Sequence, residues 1–515
     1  MLFERRKPLD LILATAEKRS LKRQLGAFDL MMLGIGAVIG TGIFVLTAVA
    51  ANKAGPGMMY SFVIAGIVCA LTALIYSEIA AMVPVSGSAY TYSYAVLGEL
   101  IAWMVGWALI LEYAVAAGAV SVGWSGYANG FLAHHGFGLP DILTAGPFYT
   151  ETLANGTQAV HMVDGVEHKG GFNLIAFLLA LVVTALLAVG TSKSAKVTAV
   201  LVMVKIAALT AFIALAFPAV DSANFEPMLP NGWGTPLGGV GVLGAAASIF
   251  FAYVGFDAVS TAAEETKNPN RNIPIGLIGS LGICTVFYLL VAYTAVGSMG
   301  AQPGGPLSQS QEPLAFVLRT IGWPVVGDWV AGAAIIALPS VVLMMMFGQT
   351  RILFTMSRDG LLPEKLSRVH PKFHTPHVVT WITGVFVAFF AALFPVDILA
   401  DISNAGTLFA FFMVAAGVMV LRKTEPNRPR PFRTPLVWIV GPLAMAGCLL
   451  LFFSLGWNPT IKFFCGWAIF GLIVYFLYAR RSSHLAPGNE GLLHGYADNK
   501  LPADPLIQEG PSAGP

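Results

Sequence analysis

Three ionisable side chains lie inside stretches of sequence that are otherwise apolar, and they are the first candidates for chemistry. Lys205 lies in VLVMVKIAALTAF, Glu112 is central in LILEYAV, and Asp257 lies within SIFFAYVGFDAV. A charge at the centre of a membrane helix costs at least about 2.5 to 3.5 kcal/mol on insertion scales, so such residues face the protein interior and are functional by default. Because burial penalises the charged form, Lys205 is predicted to exchange a proton during function.

Each of these residues also has a structural alternative. Lys205 could extend its amine to the membrane surface, but it lies roughly 12 Å inside its span at the helical rise, which disfavours this. Glu112 could be a buried hydrogen-bond acceptor that faces a helix end, and that alternative stays open. Asp257 is predicted to tie its helix to neighbours in preference to touching a ligand. Glu265, which follows at the cytoplasmic end of the same span, is predicted to belong to an inner gate or a solvated cap.

Glycine interrupts two of the apolar runs at their centres. LGIGAVIGTGIF, residues 33–44, contains four glycines, and SIFFAYVGFDAV, residues 248–259, contains Gly255. Each glycine costs roughly 1 kcal/mol relative to alanine in a helix interior. The alternative is a small-residue packing face, but the glycines are spaced by two as well as by four, so they do not share one face. Both helices are therefore predicted to break.

A pair of broken helices predicts a binding site at the membrane midplane. Breaks at corresponding positions of two halves indicate an inverted-repeat secondary transporter. Lipid forbids free backbone N–H and C=O groups unless something binds them. A carboxylate suits the N–H end of a half-helix and an ammonium suits the C=O end. An α-amino acid carries both groups, so it is the ligand class that this pattern favours.

The elements that must position these residues are membrane helices. The chain has 515 residues, of which 56% are hydrophobic and 11% charged, whereas soluble domains carry about 25% charge. We therefore predict an all-α polytopic membrane protein with about 12 transmembrane helices. Apolar runs long enough to cross the bilayer lie at about 27–50, 58–83, 99–127, 172–190, 196–219, 236–262, 275–298, 326–350, 377–396, 400–421, 434–455 and 460–478.

Lysine and arginine are distributed unequally between the two sides of the membrane. Of the 29 such residues, 24 flank the spans on the side of the N-terminus, four lie on the other side, and Lys205 is inside a span. By the positive-inside rule, both termini are predicted to be cytoplasmic in a multi-pass protein of the cell (inner) membrane. The nine histidines fall in loops, tails or a span end, which leaves no histidine-based metal or haem site in the bilayer. No metal, organic cofactor or nucleic acid is expected.

Four long motifs resemble the amino acid-polyamine-organocation (APC) superfamily of transporters, and within it the bacterial members of the cationic amino acid transporter (CAT) family. They are LGIGAVIGTGIF, FFAYVGFDAVSTAAEETKNPNRNIP, GQTRILFTMSRDGLLP and SNAGTLFAFFMVAAGVMVLR. The resemblance implies a 5+5 inverted repeat of the LeuT type with discontinuous helices 1 and 6. The implied units are a cytoplasmic N-terminal segment (1–26), two five-helix repeats (27–220 and 221–422), peripheral helices 11 and 12 (423–479) and a disordered cytoplasmic tail (480–515).

The same resemblance implies roles for individual residues. The substrate carboxylate would lie on the backbone of Val38, Gly40, Thr41 and Gly42, and the ammonium on the carbonyls of Phe251, Ala252 and Val254. The Phe251 ring would close over the substrate as a gate, against the alternative of an ordinary packed aromatic. Lys205 would stand where sodium binds in sodium-coupled members of the fold, which implies proton coupling without sodium. Glu112 matches an acidic residue of the family that is linked to the proton pathway.

Met345 is the residue from which the substrate is predicted. Family members that carry cationic substrates place a smaller polar residue there, whereas methionine shortens the pocket and offers no good hydrogen bond to a cationic tail. Packing is the alternative for Met344, Met345 and Met346. We therefore predict a proton-coupled transporter of a small neutral L-amino acid such as alanine, with a cationic amino acid or polyamine exchanger, or a transporter-like sensor, as alternatives. An enzyme and a channel are disfavoured, and any accessory subunit is unknown.

Overall fold

The computed structural model describes residues 5–9, 25–83, 88–148, 150–152, 158–160, 162–163, 166–167, 170–190, 195–261, 266–373 and 375–486. Within this part of the chain, eight helical stretches are long and apolar enough to cross a membrane, and four shorter apolar helices accompany them. The eight are Leu46–Met82, Glu99–His134, Ala199–Ala219, Pro269–Met299, Pro324–Arg358, Val396–Thr424, Val437–Ser454 and Trp457–Ser482. The shorter four are Ala27–Val38, Leu174–Val189, Gly241–Tyr253 and His377–Leu393.

The α-helices of the described residues are numbered here in chain order. The first half of the chain contains α1 (Ala27–Val38), α2 (Thr41–Phe44), α3 (Leu46–Ala54), α4 (Met58–Met82), α5 (Ser88–Val96), α6 (Glu99–His134), α7 (Asp141–Thr144), α8 (Leu174–Val189) and α9 (Ala195–Ala216). The second half contains α10 (Gly241–Ile249), α11 (Ala258–Thr261), α12 (Pro269–Met299), α13 (Pro306–Gln309), α14 (Pro313–Thr320), α15 (Pro324–Arg358), α16 (His377–Leu393), α17 (Val396–Thr424), α18 (Val437–Ser454), α19 (Lys462–Val474) and α20 (Arg480–Ser482).

Shorter elements connect these helices. Two antiparallel hairpins lie between α7 and α8, one formed by β1 (Thr150–Thr152) and β2 (Gln158–Val160), the other by β3 (Met162–Val163) and β4 (Val166–Glu167). The 3₁₀ turns are Gly55–Gly57, Phe217–Ala219, Ser222–Phe225, Phe250–Tyr253 and Glu364–Ser367, and π-helical turns lie at Trp457–Ile461 and Tyr475–Ala479. The predicted helical class is thus confirmed, apart from the two small hairpins.

Several helices are longer than the apolar runs that predicted them. α6 continues to His134, seven residues past the predicted end at 127, and α15 runs on to Arg358 instead of ending near 350. α12 begins at Pro269, before the predicted 275. Hydropathy detects only the part of a helix that matches the hydrocarbon, about 30 Å, whereas the hydrogen-bond ladder can continue beyond it. The predicted spans are therefore minimum lengths.

The centre of the fold is built on α6. This helix packs against α15 and α17 and also contacts α8 and α16, and almost every side chain from Ala102 to Ser121 is buried. On another side, α12 packs against α1 and α4. The two interrupted helices, α1–α3 and α10–α11, lie between these groups. Their breaks are therefore enclosed by protein, as non-helical backbone at membrane depth requires.

The two ends of the described chain meet at Glu99, at the start of α6. Arg5 Nη1 lies 3.2 Å from Glu99 Oε1 and donates to the Arg480 carbonyl oxygen at 2.9 Å. The Tyr475 and Ser483 hydroxyls donate to the same carboxylate at 3.0 and 2.5 Å. Residues 480–486 of the predicted disordered tail are therefore packed against the protein, so they differ from that prediction. Most of the predicted N-terminal segment and residues 487–515 lie outside the described residues.

Candidate functional site

The first helix breaks where its glycines are densest. α1 ends at Val38, Ile39 is extended (ψ 96°), and Gly40 (φ −145°, ψ −148°) precedes the new helix that starts at Thr41. Val45 keeps right-handed helical angles, so α2 continues into α3 with a small irregularity. The first N–H groups of a helix have no intrahelical acceptor. The break therefore offers backbone donors at Thr41 and Gly42.

The second helix breaks four residues before Asp257. α10 ends at Ile249 and tightens into the 3₁₀ turn Phe250–Tyr253, after which Val254 is extended (ψ 140°). Gly255 follows with φ +110°, a backbone conformation that residues with a Cβ rarely adopt. α11 then starts at Ala258. The carbonyls at the end of the 3₁₀ turn have left the helical ladder, so this break supplies acceptors.

The two breaks touch each other. A Cβ on Gly42 would lie 2.2 Å from Ala252 Cα, and a Cβ on Gly255 would lie 3.1 Å from the Ala37 carbonyl carbon. Glycine is therefore required here for close approach of two backbones as well as for weakening the helix. The packing alternative also holds for one position, because a Cβ on Gly34 would lie 2.5 Å from Ser280 Oγ. The N–H groups of one break thus lie beside the carbonyls of the other, of which Phe251 O accepts from the Val254 N–H at 3.2 Å and keeps capacity for a second donor.

Thr41 carries a side chain suited to bind a ligand at this junction. It is buried (1% exposed), and its hydroxyl has no hydrogen-bond partner among the described residues. A buried unpaired polar group costs about 1 to 3 kcal/mol, so its presence calls for an explanation. α6 presses against it at Gly123, where a Cβ would lie 2.6 Å from Thr41 Cγ2. A substrate carboxylate would supply the missing acceptor.

Tyr288 on α12 joins both breaks, and sequence reasoning missed it. Its hydroxyl lies 2.8 Å from the Val38 carbonyl oxygen and 2.8 Å from the Ala252 carbonyl oxygen. One hydroxyl proton can be donated to only one carbonyl at a time, so each carbonyl retains capacity for another donor. A buried tyrosine usually finds a partner for its hydroxyl, and that expectation, applied to the apolar run GICTVFYLLV, was the signal available.

Lys205 reaches the first half-helix from α9. Its side chain is buried (1% exposed), and Nζ donates to the Gly36 carbonyl oxygen at 2.9 Å. Gly36 lies two residues before the end of α1, so the amine binds close to the break. The buried position excludes a snorkelling lysine. A change in its charge would act directly on the end of α1.

Glu112 and Asp257 lie on the other side of the breaks. Glu112 is buried against α17, with its Cβ 3.1 Å from where Gly406 would carry a Cβ, and its Oε2 has no partner among the described residues. Asp257 is also buried and accepts from the Tyr113 hydroxyl at 3.4 Å. The Tyr113 contact ties Asp257 to α6, and a structural role for Asp257 stays a prediction. Glu265 lies outside the described residues.

Met345 lies on a helix that approaches the first break directly. Val341, one turn earlier on α15, has both Cγ atoms 3.4 Å from where Gly40 would carry a Cβ. Met345 is buried (4% exposed) and follows Val341 by four residues on the same helix face. Phe251 is buried as well. Met345 is thus available to line a side-chain pocket beside the break.

A proline sets the direction of this part of α15. Pro339 lies inside the helix, where it cannot donate to the carbonyl of residue 335, and such prolines kink helices. The Trp124 indole N–H donates to that Ile335 carbonyl oxygen at 2.8 Å. α6 therefore satisfies the carbonyl that Pro339 leaves unpaired, and it contacts α15 at Ile335, six residues before Val341.

An ion pair that sequence reasoning missed joins three helices beyond the breaks. Lys53 of α3 lies 2.7 Å from Asp401 Oδ2 of α17 and donates to Ser248 Oγ of α10 at 2.6 Å. Ser248 in turn donates to Asp401 Oδ1 at 2.5 Å. Lys53 reads as an outer-loop cation in the sequence, so only the tertiary structure reveals its burial (5% exposed). The acidic residue inside the polar run ADISNAG was the available signal.

The comparisons with known proteins cover nearly the whole chain. The family model described as "Amino acid permease" matches residues 25–483. The chain is 46% identical over 488 residues to the branched-chain amino acid permease BcaP of Bacillus subtilis (strain 168), which covers 94% of this chain and 99% of that protein. It is 42% identical to the methylthioribose transporter of the same strain (93% and 98% covered) and 35% identical to cationic amino acid transporter 9, chloroplastic, of Arabidopsis thaliana (86% and 73%).

Proposed function

This chain belongs to the amino acid permease family, and from that premise we propose that it is a secondary active transporter of a neutral L-amino acid. Its relatives are transporters, so the expectation that it is no enzyme is confirmed, as is the resemblance to the APC superfamily. The observation that carries the proposal is the contact of the two helix breaks at Gly42 and Ala252. Both charged groups of an amino acid find partners at such a junction.

The backbone binds the groups that all α-amino acids share. The N–H groups of the second half-helix, with the Thr41 hydroxyl, receive the carboxylate, and Val38, Gly40 and Gly42 shape this end. The carbonyls of Phe251, Ala252 and Val254 receive the ammonium, with Phe251 closing over the substrate. Support comes from the unpartnered Thr41 hydroxyl and from the carbonyl end beside it.

The side chain of the substrate is set by α15. Met345 supplies a bulky apolar surface, which favours small neutral amino acids such as alanine over arginine. A relative that is 46% identical is named a branched-chain amino acid permease. We therefore include neutral amino acids with larger aliphatic side chains, such as leucine, among the proposed substrates. A cationic or polyamine exchanger is the rival assignment, and the buried methionine counts against it.

Coupling is assigned to protons, with Lys205 as the central group. Its ammonium donates to the Gly36 carbonyl next to the break, and by the family resemblance it would stand where sodium binds in sodium-coupled members of the fold. Protonation and deprotonation of Lys205, with Glu112 as a second carrier, would change how firmly α1 is held. The half-helices would then move relative to the rest of the bundle, which is the basis of alternating access.

The membrane topology is part of the proposal. Twelve spans in a 5+5 inverted repeat, with two peripheral helices, account for the eight long and four shorter apolar helices of the described residues. The broken helices, α1–α3 and α10–α11, then occupy the first and sixth positions. The distribution of lysine and arginine supports cytoplasmic termini and the cell membrane.

The proposal is tested by transport in sodium-free proteoliposomes. An inwardly directed proton gradient is expected to drive accumulation of alanine or leucine against its gradient, and Lys205→Ala is expected to abolish accumulation while binding remains measurable. Lys462→Ala removes an exposed lysine from α19 and serves as the matched control.

Three outcomes would contradict parts of this proposal. A requirement for sodium, or accumulation insensitive to pH, would exclude proton coupling. Accumulation by Lys205→Ala equal to that of the parent would remove Lys205 from the coupling mechanism. Binding of amino acids without flux under any gradient would leave the sensor alternative.

A further inference from the structure

A cluster of basic residues follows α17, on the side of the protein that is predicted to be cytoplasmic. We name residues 422–434 the basic linker, which covers the end of α17 and most of the segment before α18. Its cationic residues are Arg422, Lys423, Arg428, Arg430 and Arg433, and its acidic residue is Glu425. Clusters of four to eight lysines and arginines directly cytoplasmic of a membrane helix are typical of anionic-lipid binding. The basic linker is therefore a candidate site for phosphate groups.

The basic linker is folded around one buried carboxylate. Glu78 of α4 accepts from Arg422 Nε and Nη2 at 2.7 and 2.8 Å, and from the Thr434 backbone N–H at 2.8 Å. Arg430 Nε lies 3.3 Å from the same carboxylate. The two Nη atoms of Arg430 donate to the backbone carbonyls of residues 421, 425, 426 and 428. The linker thus has a defined conformation in which two arginines share a single negative charge.

Other cations of the basic linker are exposed without a carboxylate partner. Lys423 and Arg433 are both exposed, and neither has a carboxylate oxygen within 4 Å in the part of the chain that the structure describes. Arg428 differs from them, because its Nη1 lies 2.6 Å from Glu425 Oε2. The surface of the linker therefore carries positive charge that an anionic ligand would neutralise.

A groove beside the basic linker has the size and the polar groups that a phospholipid headgroup requires. Its volume is about 780 Å³, and it is enclosed by the end of α4, the start of α12 and the linker itself. The polar side chains that line it are Asn270, Thr424, Glu425, Asn427 and Arg428. Amide, hydroxyl and guanidinium groups donate to phosphate oxygens, and a guanidinium can do so through two N–H groups at once. Because Glu425 is paired with Arg428, it does not exclude an anion.

An exposed apolar helix face begins next to the basic linker. Ile439, Leu443 and Leu450 of α18 are exposed, and their spacing of four and seven residues places them on one face. The exposed ring of Trp438 lies at the start of this helix, with Lys423 Nζ 5.5 Å from its centroid. Tryptophan concentrates at the membrane–water interface. The basic linker therefore lies at the level of lipid headgroups, and the apolar face lies at the level of acyl chains.

We propose that the basic linker and its groove bind an anionic phospholipid, whose phosphate contacts Asn427, Arg428 and the exposed cations while its acyl chains lie along α18. The inference goes beyond the proposed function: it uses the cytoplasmic orientation, but no part of the transport mechanism. The bound headgroup joins the ends of α4, α12 and α17, which enclose the groove. Because this arrangement exists only in the folded protein, the lipid stabilises the folded state by mass action.

Thermal unfolding of the full-length protein in a neutral detergent tests the proposal. Phosphatidylglycerol is expected to raise the unfolding midpoint until the site is saturated, whereas zwitterionic phosphatidylcholine at the same concentration is not. The Lys423→Gln, Arg433→Gln double variant should bind phosphatidylglycerol roughly 30-fold more weakly, which corresponds to about 1 kcal/mol for each cation.

The matched control is the Lys365→Gln, Arg368→Gln double variant. It removes the same charge from two exposed residues of another predicted cytoplasmic loop, and it should bind phosphatidylglycerol as the parent does. Equal stabilisation of the parent by the two lipids would overturn the proposal. Equal weakening in the two double variants would also overturn it, because the attraction would then depend on overall charge and not on the basic linker.

A second set of measurements tests the position and the source of the phosphate. Asn427→Asp places a negative charge in the groove wall, so its affinity for phosphatidylglycerol should fall, whereas Asn427→Gln should keep the parent affinity. The Lys423→Arg, Arg433→Lys double variant retains both charges and should also bind as the parent does. Glycerol 3-phosphate, which has the phosphate but no acyl chains, is expected to leave the unfolding midpoint unchanged.

Two outcomes of these measurements would contradict the proposal. Stabilisation by glycerol 3-phosphate equal to that by phosphatidylglycerol would assign the site to soluble phosphate compounds. An unchanged affinity of Asn427→Asp would place the lipid outside the groove. None of these measurements involves flux, so failure of the proposed function would appear separately, as absence of amino acid transport by the parent protein.

Discussion

At the scale of single residues, Thr41 and Tyr288 have different roles where the two helix breaks meet. The Thr41 hydroxyl has no hydrogen-bond partner among the described residues. The Tyr288 hydroxyl, in contrast, lies 2.8 Å from each of two carbonyl oxygens. Tyr288 keeps the ends of both half-helices at a fixed separation. It also leaves Ala252 able to accept a hydrogen bond from an ammonium. The residue therefore positions the acceptor without blocking it.

Met345 gives the most direct prediction of substrate choice. Met345→Ser removes apolar bulk next to Val341 and the first break, so arginine, inert against the parent, is expected to compete with labelled alanine or leucine. Competition by the neutral amino acids should weaken by severalfold because apolar contact is lost. Met346→Ser, at a fully buried neighbouring position, is the control for packing damage. If arginine fails to compete while transport of neutral amino acids is retained, Met345 does not determine which substrate side chains the pocket accepts.

At the scale of elements, the two breaks act as one unit because their backbones are in contact. Gly42→Ala would put a Cβ 2.2 Å from Ala252 Cα, and backbone on both sides cannot move aside as a flexible side chain can. We expect transport to be lost and the thermal unfolding midpoint to fall.

The control for this variant is a helical glycine with open space around it. Gly332→Ala on α15 would meet no atom within 4 Å, and alanine is preferred in helix interiors by roughly 1 kcal/mol. The thermal unfolding midpoint of Gly332→Ala should equal or exceed that of the parent, and the variant should retain transport. Full transport by Gly42→Ala would mean that the two backbones can move apart to admit the Cβ without loss of function, which would contradict the prediction.

How much of these elements the sequence predicts depends on the range of the interaction involved. Glycine density and an ionisable residue in an apolar run are local, and they located the breaks, Lys205 and Asp257. The Tyr288 hydroxyl and the Val38 carbonyl that it contacts are separated by 250 positions in the sequence. The Lys53–Asp401 pair is separated by 348 positions. A single sequence carries no measure of which distant residues become neighbours. Lys53 in particular lies between two apolar runs in the sequence, where a loop is predicted, and only tertiary packing buries it.

At the scale of the whole molecule, a charged cluster connects α14 to the start of α15. Arg319 of α14 pairs with Glu312 and lies 2.8 Å from Asp328. Burial raises the pKa of Glu312 from its usual 4.5 to about 7, although Arg319 opposes this rise. Glu312 lies outside the membrane-spanning helices, at the start of α14.

This pKa predicts how stability depends on pH. Between about 4.5 and about 7 the folded state binds more protons at Glu312 than the unfolded state does, so its contribution to the free energy of unfolding falls as pH rises through that window. Glu312→Gln cannot titrate. The unfolding midpoint of the parent, relative to that of the variant, should therefore decrease from pH 4.5 to pH 7 and then level off. Two curves that run parallel across this range would contradict the assignment.

The meeting of Arg5 with Arg480 also dictates an order of events during biosynthesis. The two residues are 475 positions apart, so at 5 to 20 residues per second roughly 24 to 95 s separate their synthesis. Until then Glu99 lacks the hydroxyls of Tyr475 and Ser483 that complete its coordination. The start of α6 must wait in the membrane with a carboxylate that water or insertion machinery satisfies. These contacts at Glu99 can therefore close only after the final span has been made, and a ribosome-bound chain shorter by that span would lack them.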